Sequence, residues 1–72
     1  IYPNPVKDFA VIENQDDNIL QLELFNISGK RLTNLNTNAR NYTLDVRNLT
    51  QGVYFVRVTT EKALVVRKII IE

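Results

Sequence analysis

The chain has 72 residues, a formal net charge of +1, and neither Cys nor His. That composition excludes disulfide bonds, a conventional zinc site and the commonest acid–base and nucleophilic side chains. The near-neutral charge offers no field for nucleic acid, and no apolar run exceeds four residues, against ~20 for a membrane span. We therefore expect one small domain without nucleic-acid binding or membrane insertion. The absence of Met predicts that it is part of a longer polypeptide.

The first predicted strands follow an N-terminal segment, residues 1–5. Residues 9–13 are typical of a short strand, and a polar turn follows at 14–18. The next strand alternates strictly, and its core face consists of Leu20, Leu22 and Leu24. Its opposite face, expected to meet solvent, consists of Gln21, Glu23 and Phe25. Residues 26–29 then predict a hairpin turn in which Gly29 takes a positive φ.

The middle of the chain is less regular. Residues 30–35 predict a weak strand, and residues 36–41 predict an Asn-rich loop. Alternation then returns in a strand whose core face consists of Tyr42, Leu44 and Val46.

The segment Leu49-Thr50-Gln51-Gly52-Val53-Tyr54 predicts a corner between two strands. Leu49 anchors it, Gly52 takes a conformation that a side chain disfavours, and Tyr54 begins the next strand. This spacing is typical of a tyrosine corner, in which the phenol bonds to the backbone upstream. We expect the Tyr54 hydroxyl to reach the backbone near Thr50.

Two further strands complete the pattern. Residues 54–58 alternate, residues 60–63 predict a tight hairpin, and residues 64–71 predict a strong final strand. Six or seven strands in a chain of this length predict an all-β fold. The corner favours a Greek-key β-sandwich of two antiparallel sheets.

No residue pattern indicates catalysis. The only serine, Ser28, lies in a predicted turn, where it bonds local backbone. The run Asp16-Asp17-Asn18 lacks the spaced ligands and terminal Glu of a calcium loop. We therefore predict a non-enzymatic domain with no metal and no cofactor.

The charges are distributed unevenly along the chain. Residues 1–25 carry one lysine against five carboxylates, whereas residues 26–72 carry eight Lys or Arg against three carboxylates. Two interpretations remain open: solvated faces that pair across the two sheets, or a basic surface that docks an acidic partner.

Four sequence islands, in this order, resemble the C-terminal sorting domain of the bacterial type IX secretion system. They are Tyr2-Pro3-Asn4-Pro5, then Phe25-Asn26-Ile27-Ser28-Gly29-Lys30, then the segment from Leu49 to Val58, and finally Arg67-Lys68-Ile69-Ile70-Ile71. The resemblance covers residues 1–72. Two departures are the absence of Gly in the loop from Thr60 to Ala63 and the acidic C-terminal Glu72.

The resemblance implies a seven-stranded Ig-like sandwich that acts as an address label at the C-terminus of an exported cargo protein. The cargo would pass through the periplasm and the outer-membrane translocon to the cell surface or the medium. A sortase-like cysteine peptidase would then often remove the domain and link the cargo to anionic lipopolysaccharide. Residues 1–5 would join the domain to the upstream cargo.

The islands supply the candidate recognition residues Pro3, Asn4, Pro5, Gly29, Lys30, Gly52, Tyr54, Arg67, Lys68, Ile69, Ile70 and Ile71. Pro3 and Pro5 lack amide donors, so they could cap a sheet edge and stiffen the junction. The isoleucines place apolar side chains on both faces of the last strand, which is either sandwiched or held for the sheet edge of a partner. The alternative function is a structural or adhesive accessory module of a secreted enzyme. A sugar-binding module is a third possibility, for which Trp is absent.

Overall fold

A computed structural model describes residues 1–3 and 5–72, and over these residues the chain forms six β-strands and no helix. Their bounds are β1 (Phe9–Glu13), β2 (Ile19–Asn26), β3 (Arg31–Ala39), β4 (Asn41–Asp45), β5 (Gly52–Thr60) and β6 (Leu64–Ile71). Within the described part of the chain, a search for helices that could cross a membrane finds none. The all-β prediction is confirmed, with six strands where about seven were expected.

The strands form two antiparallel sheets that pack as a sandwich. The larger sheet has the order β3-β2-β5-β6, and the smaller sheet consists of β1 and β4. Strands β2 and β5 are neighbours although β3 and β4 separate them in the sequence. The chain therefore crosses to the small sheet and returns, which is the connection of a Greek key.

One apolar core lies between the sheets. It contains residues from every strand except β3, together with Val6 and Val46. Its members are Val6, Ala10, Ile12, Ile19, Leu22, Leu24, Leu44, Val46, Tyr54, Val56, Val58, Ile69 and Ile71. Strand β3 contributes Leu35 at the margin. The alternation predicted for β5 and for the strand at Leu44 is thus confirmed, because the inward positions are buried in the core, except that Tyr42 is half-buried against it.

The start of β2 differs from the predicted alternation. Ile19 is fully buried and Leu20 is only half-buried, because β2 has an extra residue relative to β5 between Ile19 and Gln21. Such a bulge switches which of the alternating residues face the core. Leu22 and Leu24 face the core as predicted, and Ile19 takes the place expected for Leu20.

The predicted loop at 36–41 is wrong for most of its length. Strand β3 continues to Ala39, and β4 begins at Asn41. Asparagine is unfavourable in strands, but sheet pairing overrides that preference. Asn36 lies opposite Gln21, and Ala39 lies opposite Ile19, so β2 provides a template along the whole of β3.

Two hairpin turns use different solutions. In the β2–β3 turn, the Asn26 carboxamide oxygen accepts hydrogen bonds from the Ser28 and Lys30 backbone amides, at 3.1 and 2.9 Å, and Gly29 has the expected positive φ of 90°. In the β5–β6 turn, the Thr60 hydroxyl oxygen accepts from the Ala63 amide at 3.0 Å. Among the described residues only Gly29 and Gly52 have positive φ. The β5–β6 turn contains no glycine and therefore closes without a residue of positive φ.

Candidate functional site at one end of the sandwich

Three of the four sequence islands converge with the N-terminal segment at one end of the sandwich. Because the strands are antiparallel, the end of β2, the start of β5 and the end of β6 lie side by side. Asn26 pairs with Tyr54, Tyr54 pairs with Ile69, and Gly52 pairs with Ile71. The bridge between Val6 and Ile71 lies at this same end of the sandwich.

The N-terminal segment connects the two sheets. Tyr2 pairs with Val11 of β1 through two backbone hydrogen bonds of 3.1 and 2.8 Å. The Val6 amide donates to the Ile70 carbonyl, and the Glu72 amide donates to the Val6 carbonyl, both at 2.8 Å. Val6 is buried, so this short segment fastens the last strand to the core.

The prolines of this segment are exposed. Pro3 and Pro5 are accessible, and the Tyr2–Pro3 peptide bond is cis. The predicted recognition residue Asn4 lies outside the described residues. The exposure of the two prolines leaves their rings available for contact.

The β2–β3 turn brings Gly29 and Lys30 to the same end. The turn leaves β2 at Asn26, which pairs with Tyr54 of β5. Both Gly29 and Lys30 are exposed. The Lys30 ammonium group therefore adds a positive charge to this end of the sandwich.

Gly52 and Tyr54 form the predicted tyrosine corner. The Tyr54 hydroxyl donates to the Thr50 carbonyl at 2.7 Å and lies 3.1 Å from the Thr50 hydroxyl oxygen. Gly52 has a φ of 155°, in the range that L side chains rarely adopt. Tyr54 itself is buried, so its contribution is structural: it fixes the start of β5 beside the end of β6.

Tyr54→Phe is expected to lower the free energy of unfolding by about 1 kcal/mol, because a part-buried Thr50 carbonyl loses its donor. Urea unfolding of the two proteins measures this difference. Tyr2→Phe is the matched control, since it also removes a phenol hydrogen bond, to Glu13, but at an exposed site. An equal effect at both tyrosines would contradict a special role of the corner.

The last strand divides into a core face and an outer face. Ile69 and Ile71 are buried, whereas Ile70 is 41% exposed on the outer face. Lys68 also lies on the outer face, and exposed Arg67 lies on the inner face. The sandwiched interpretation therefore holds for Ile69 and Ile71, and the Ile70 side chain is presented to solvent.

The outer face of the large sheet contains a buried carboxylate that the sequence did not reveal. Glu23 is only 3% exposed. Arg57 holds it with two hydrogen bonds, from Nε to Oε1 at 2.8 Å and from Nη2 to Oε2 at 2.7 Å, and Arg31 adds a contact of 3.2 Å. The hydrogen bonds from Arg57 are the main cause that lowers the pKa of Glu23, and they raise that of Arg57.

A second carboxylate is paired locally at the end of β4. The side chain and backbone amide of Arg47 donate to Asp45, and these bonds lower the pKa of Asp45 to about 2. Both ion-paired carboxylates have partners within their own sheet or neighbouring loop. These ion pairs therefore do not join the two sheets.

Two aromatic rings, exposed Phe9 and half-buried Phe25, are covered by arginines. The Arg47 guanidinium lies 5.0 Å from the centre of the Phe9 ring, and the Arg57 guanidinium lies 5.1 Å from that of Phe25. Phe9 is 42% exposed. Sugar binding by stacking would have to displace a cation from either ring.

Sequence reasoning missed Val6 and the Glu23 cluster. Val6 lies outside any regular alternation, and only the folded chain shows that it pairs with Ile71. Glu23 and Arg57 both occupy outward positions of their strands, which was visible, but their pairing depends on the neighbourhood of β2 and β5. No local signal in the sequence supplies that neighbourhood.

One protein family matches the chain over its whole length. The family model described as "Secretion system C-terminal sorting domain" matches residues 1–72. No match was found among curated proteins. The matched range includes all four sequence islands and both sheets, so the likeness is not confined to one motif. The chain belongs to the family of C-terminal sorting domains of the type IX secretion system.

Proposed function

We propose that this domain is a non-catalytic address that directs an attached cargo through the periplasm and then the outer-membrane type IX translocon. The observation that carries the proposal is the family match over residues 1–72. A sorting domain of this family implies export to the cell surface or the extracellular space. The domain acts as the substrate of the export machinery and presents a folded surface to it.

The recognition surface is the end of the sandwich where the islands meet. Its exposed members are Pro3, Pro5, Gly29, Lys30, Lys68 and Ile70, with exposed Arg67 at its margin. Lys30 and Lys68 supply positive charge, and Ile70 supplies an apolar contact. The buried members Tyr54, Ile69 and Ile71, with half-buried Gly52, hold that surface in shape. Asn4 joins the proposed set from the sequence alone.

Removal of the domain by a sortase-like cysteine peptidase is the second part of the proposal. Ile1, Tyr2 and Pro3 are exposed, so the chain that joins cargo to domain is accessible to a peptidase. Attachment of the freed cargo to anionic lipopolysaccharide would follow. Loss of residues 1–72 from surface cargo, followed with separate antibodies against the cargo and against the domain, tests removal separately from export.

Export of a reporter tests the main proposal. A periplasm-targeted fluorescent protein that carries residues 1–72 at its C-terminus is expressed in a host with an intact type IX system and in a translocon-deficient sibling. We expect signal at the surface or in the medium only in the intact host. Retention of a folded reporter in the periplasm of both hosts would favour the accessory-module alternative.

Point substitutions on β6 locate the recognised surface better than a deletion. Loss of residues 68–72 would also remove Ile69 and Ile71 from the core and confuse unfolding with loss of recognition. Ile70→Ser is expected to reduce export severalfold without unfolding the domain. Leu64→Ser is the matched control, because Leu64 is an exposed apolar residue at the opposite end of the same strand face. Equal export by both variants would contradict recognition at this end.

A further inference from the structure

Strand β6 leaves part of a sheet edge open. It is the last strand of the large sheet, and β5 pairs with it along its whole length. On its other side Val6 bridges to Ile71. From Leu64 to Lys68, the described residues contain no strand that pairs with this edge.

The backbone groups of this edge point outward. The Ile70 carbonyl and the Glu72 amide face away from β5, because both bond to Val6. In an antiparallel strand, alternate residues direct their amide and carbonyl to the same side. Leu64, Val66 and Lys68 therefore aim their backbone groups at the open edge.

The edge lacks most features that prevent association. It has no proline, its register with β5 is uninterrupted, and its outer face exposes Leu64 by 59% and Val66 by 51%. Edge strands usually avoid pairing through prolines, bulges, charges or short length. Strand β3, at the opposite edge, has two register irregularities and is largely polar. Association is therefore favoured at β6.

We propose that two copies of this chain associate by antiparallel pairing of β6 with β6, about a two-fold axis at Val66. This register uses residues 64–68, which are the part of the edge before the Val6 bridge. It places Leu64 opposite the partner's Lys68 and Val66 opposite the partner's Val66. The amides and carbonyls at the open edge of one copy then face those at the open edge of the other, as an antiparallel ladder requires.

Charge selects this register over its neighbours. An axis at Arg67 or at Lys68 would place two like charges directly opposite each other, which destabilises a strand pair. An axis at Val65 would place Lys62 opposite the partner's Lys68. The axis at Val66 places the partner's Arg67 opposite Val65 and sets no like charges opposite each other.

The inner side of the edge also suits a second copy. A groove of about 410 Å³ lies beneath the start of β6, and its charged lining consists of the carboxylates Glu13, Asp16 and Asp17 and the cations Lys62 and Arg67. The partner's Arg67 would point to the same side of the sheet as Val65 and so approach this groove. Its positive charge is complementary to the carboxylates, of which Asp17 Oδ2 is buried with no hydrogen-bond partner among the described residues.

Purified chain of residues 1–72 tests the proposal without any secretion machinery. Sedimentation equilibrium is measured from about 10 µM to about 1 mM, the range in which a small interface associates. We expect the average mass to rise from monomer toward dimer. In the same range, the amides of Leu64, Val66 and Lys68 should exchange more slowly with solvent. A monomeric mass throughout would overturn the proposal.

Opposite charges at the axis test the register. Val66→Lys and Val66→Glu should each weaken self-association by about tenfold or more, because like charges then face each other. An equimolar mixture of the two variants should restore association. Ile27→Lys is the matched control, since it adds a charge at a 74% exposed apolar residue in the β2–β3 turn and should leave association unchanged.

The outcomes are distinguishable from misfolding. Both Val66 variants should keep the cooperative unfolding of the parent, because the side chain is half-exposed in the monomer. Restored association in the mixture shows in addition that both variants are folded. Association that is equally strong in all variants, or a mixture no stronger than either variant alone, would overturn pairing at Val66.

Discussion

Ile71→Ala is expected to lower the free energy of unfolding by about 2–5 kcal/mol, the usual range for truncating a buried isoleucine. Ile71 is 2% exposed and lies in the core beside Gly52 and Val6. A domain of this size has a total stability of about 4–11 kcal/mol. The single substitution therefore removes a large part of it, and much of the population should unfold on mild heating.

Ile70→Ala is the matched control for this prediction. The two isoleucines are adjacent in sequence and lose the same atoms, but Ile70 is 41% exposed on the outer face. Its truncation should change stability by about 0.5 kcal/mol or less. Urea unfolding followed by circular dichroism gives both values. Similar losses for the two variants would show that Ile71 is not a core residue.

The contrast between adjacent isoleucines also affects how secretion mutants are interpreted. A variant at Ile69 or Ile71 that blocks export has two explanations, because the fold and the recognised surface are lost together. A variant at Ile70 has one, provided that its unfolding curve matches that of the parent. The alternation of β6 thus separates stability from recognition within three residues.

Local features of the structure were predictable from the sequence. The corner at Tyr54 and the positive φ of Gly29 depend on contacts over four residues or fewer, and both are confirmed. The alternation of β5 placed Val56 and Val58 in the core, where they lie. Each of these signals acts within one strand or one turn.

Features that depend on strand neighbours were not predictable. The extension of β3 through Asn36 arises from pairing with β2, which overrides the weak strand preference of asparagine. The bulge at Leu20 leaves the composition of the strand unchanged while it reverses the inward parity. The Val6 bridge joins residues 65 positions apart along the chain. Predicting these features requires knowledge of the strand order in the sheet.

The family resemblance supplied what the residues alone could not. Composition and alternation predicted a non-enzymatic sandwich, and the four islands together indicated the sorting domain that the family comparison confirms. The structure adds that three of these islands meet at one end, beside the N-terminal segment. Distant segments that are brought together in this way can form a single surface, whereas their spacing along the chain gives no indication of it.

Glu23→Gln is expected to lower the melting temperature by several degrees at neutral pH. The buried carboxylate accepts three hydrogen bonds from two arginines, whereas a neutral amide would leave Arg57 without its second acceptor. The guanidinium over the Phe25 ring would then lose the group that positions it. Arg31→Met is the milder control, because Arg31 makes one longer contact of 3.2 Å and is more exposed.

The effect should depend on pH in a direction fixed by the lowered pKa of Glu23. Its value in the folded chain lies below the ordinary value of 4.5, so the stability it contributes is fully present above that pH. That contribution is lost as the pH falls through the folded-state pKa, when the carboxylate takes up a proton and its ion pairs with Arg57 and Arg31 are lost.

Asp45, whose pKa falls to about 2, titrates in both proteins and cancels from the comparison. The difference in stability between parent and Glu23→Gln should therefore be constant from about pH 7 to about pH 5 and shrink toward pH 3. Urea unfolding at these pH values measures it. A difference that stays constant from pH 5 to pH 3 would contradict a charge contribution from Glu23, because the unfolded chain takes up the Glu23 proton near the ordinary pKa of 4.5 and the contribution must then begin to fall.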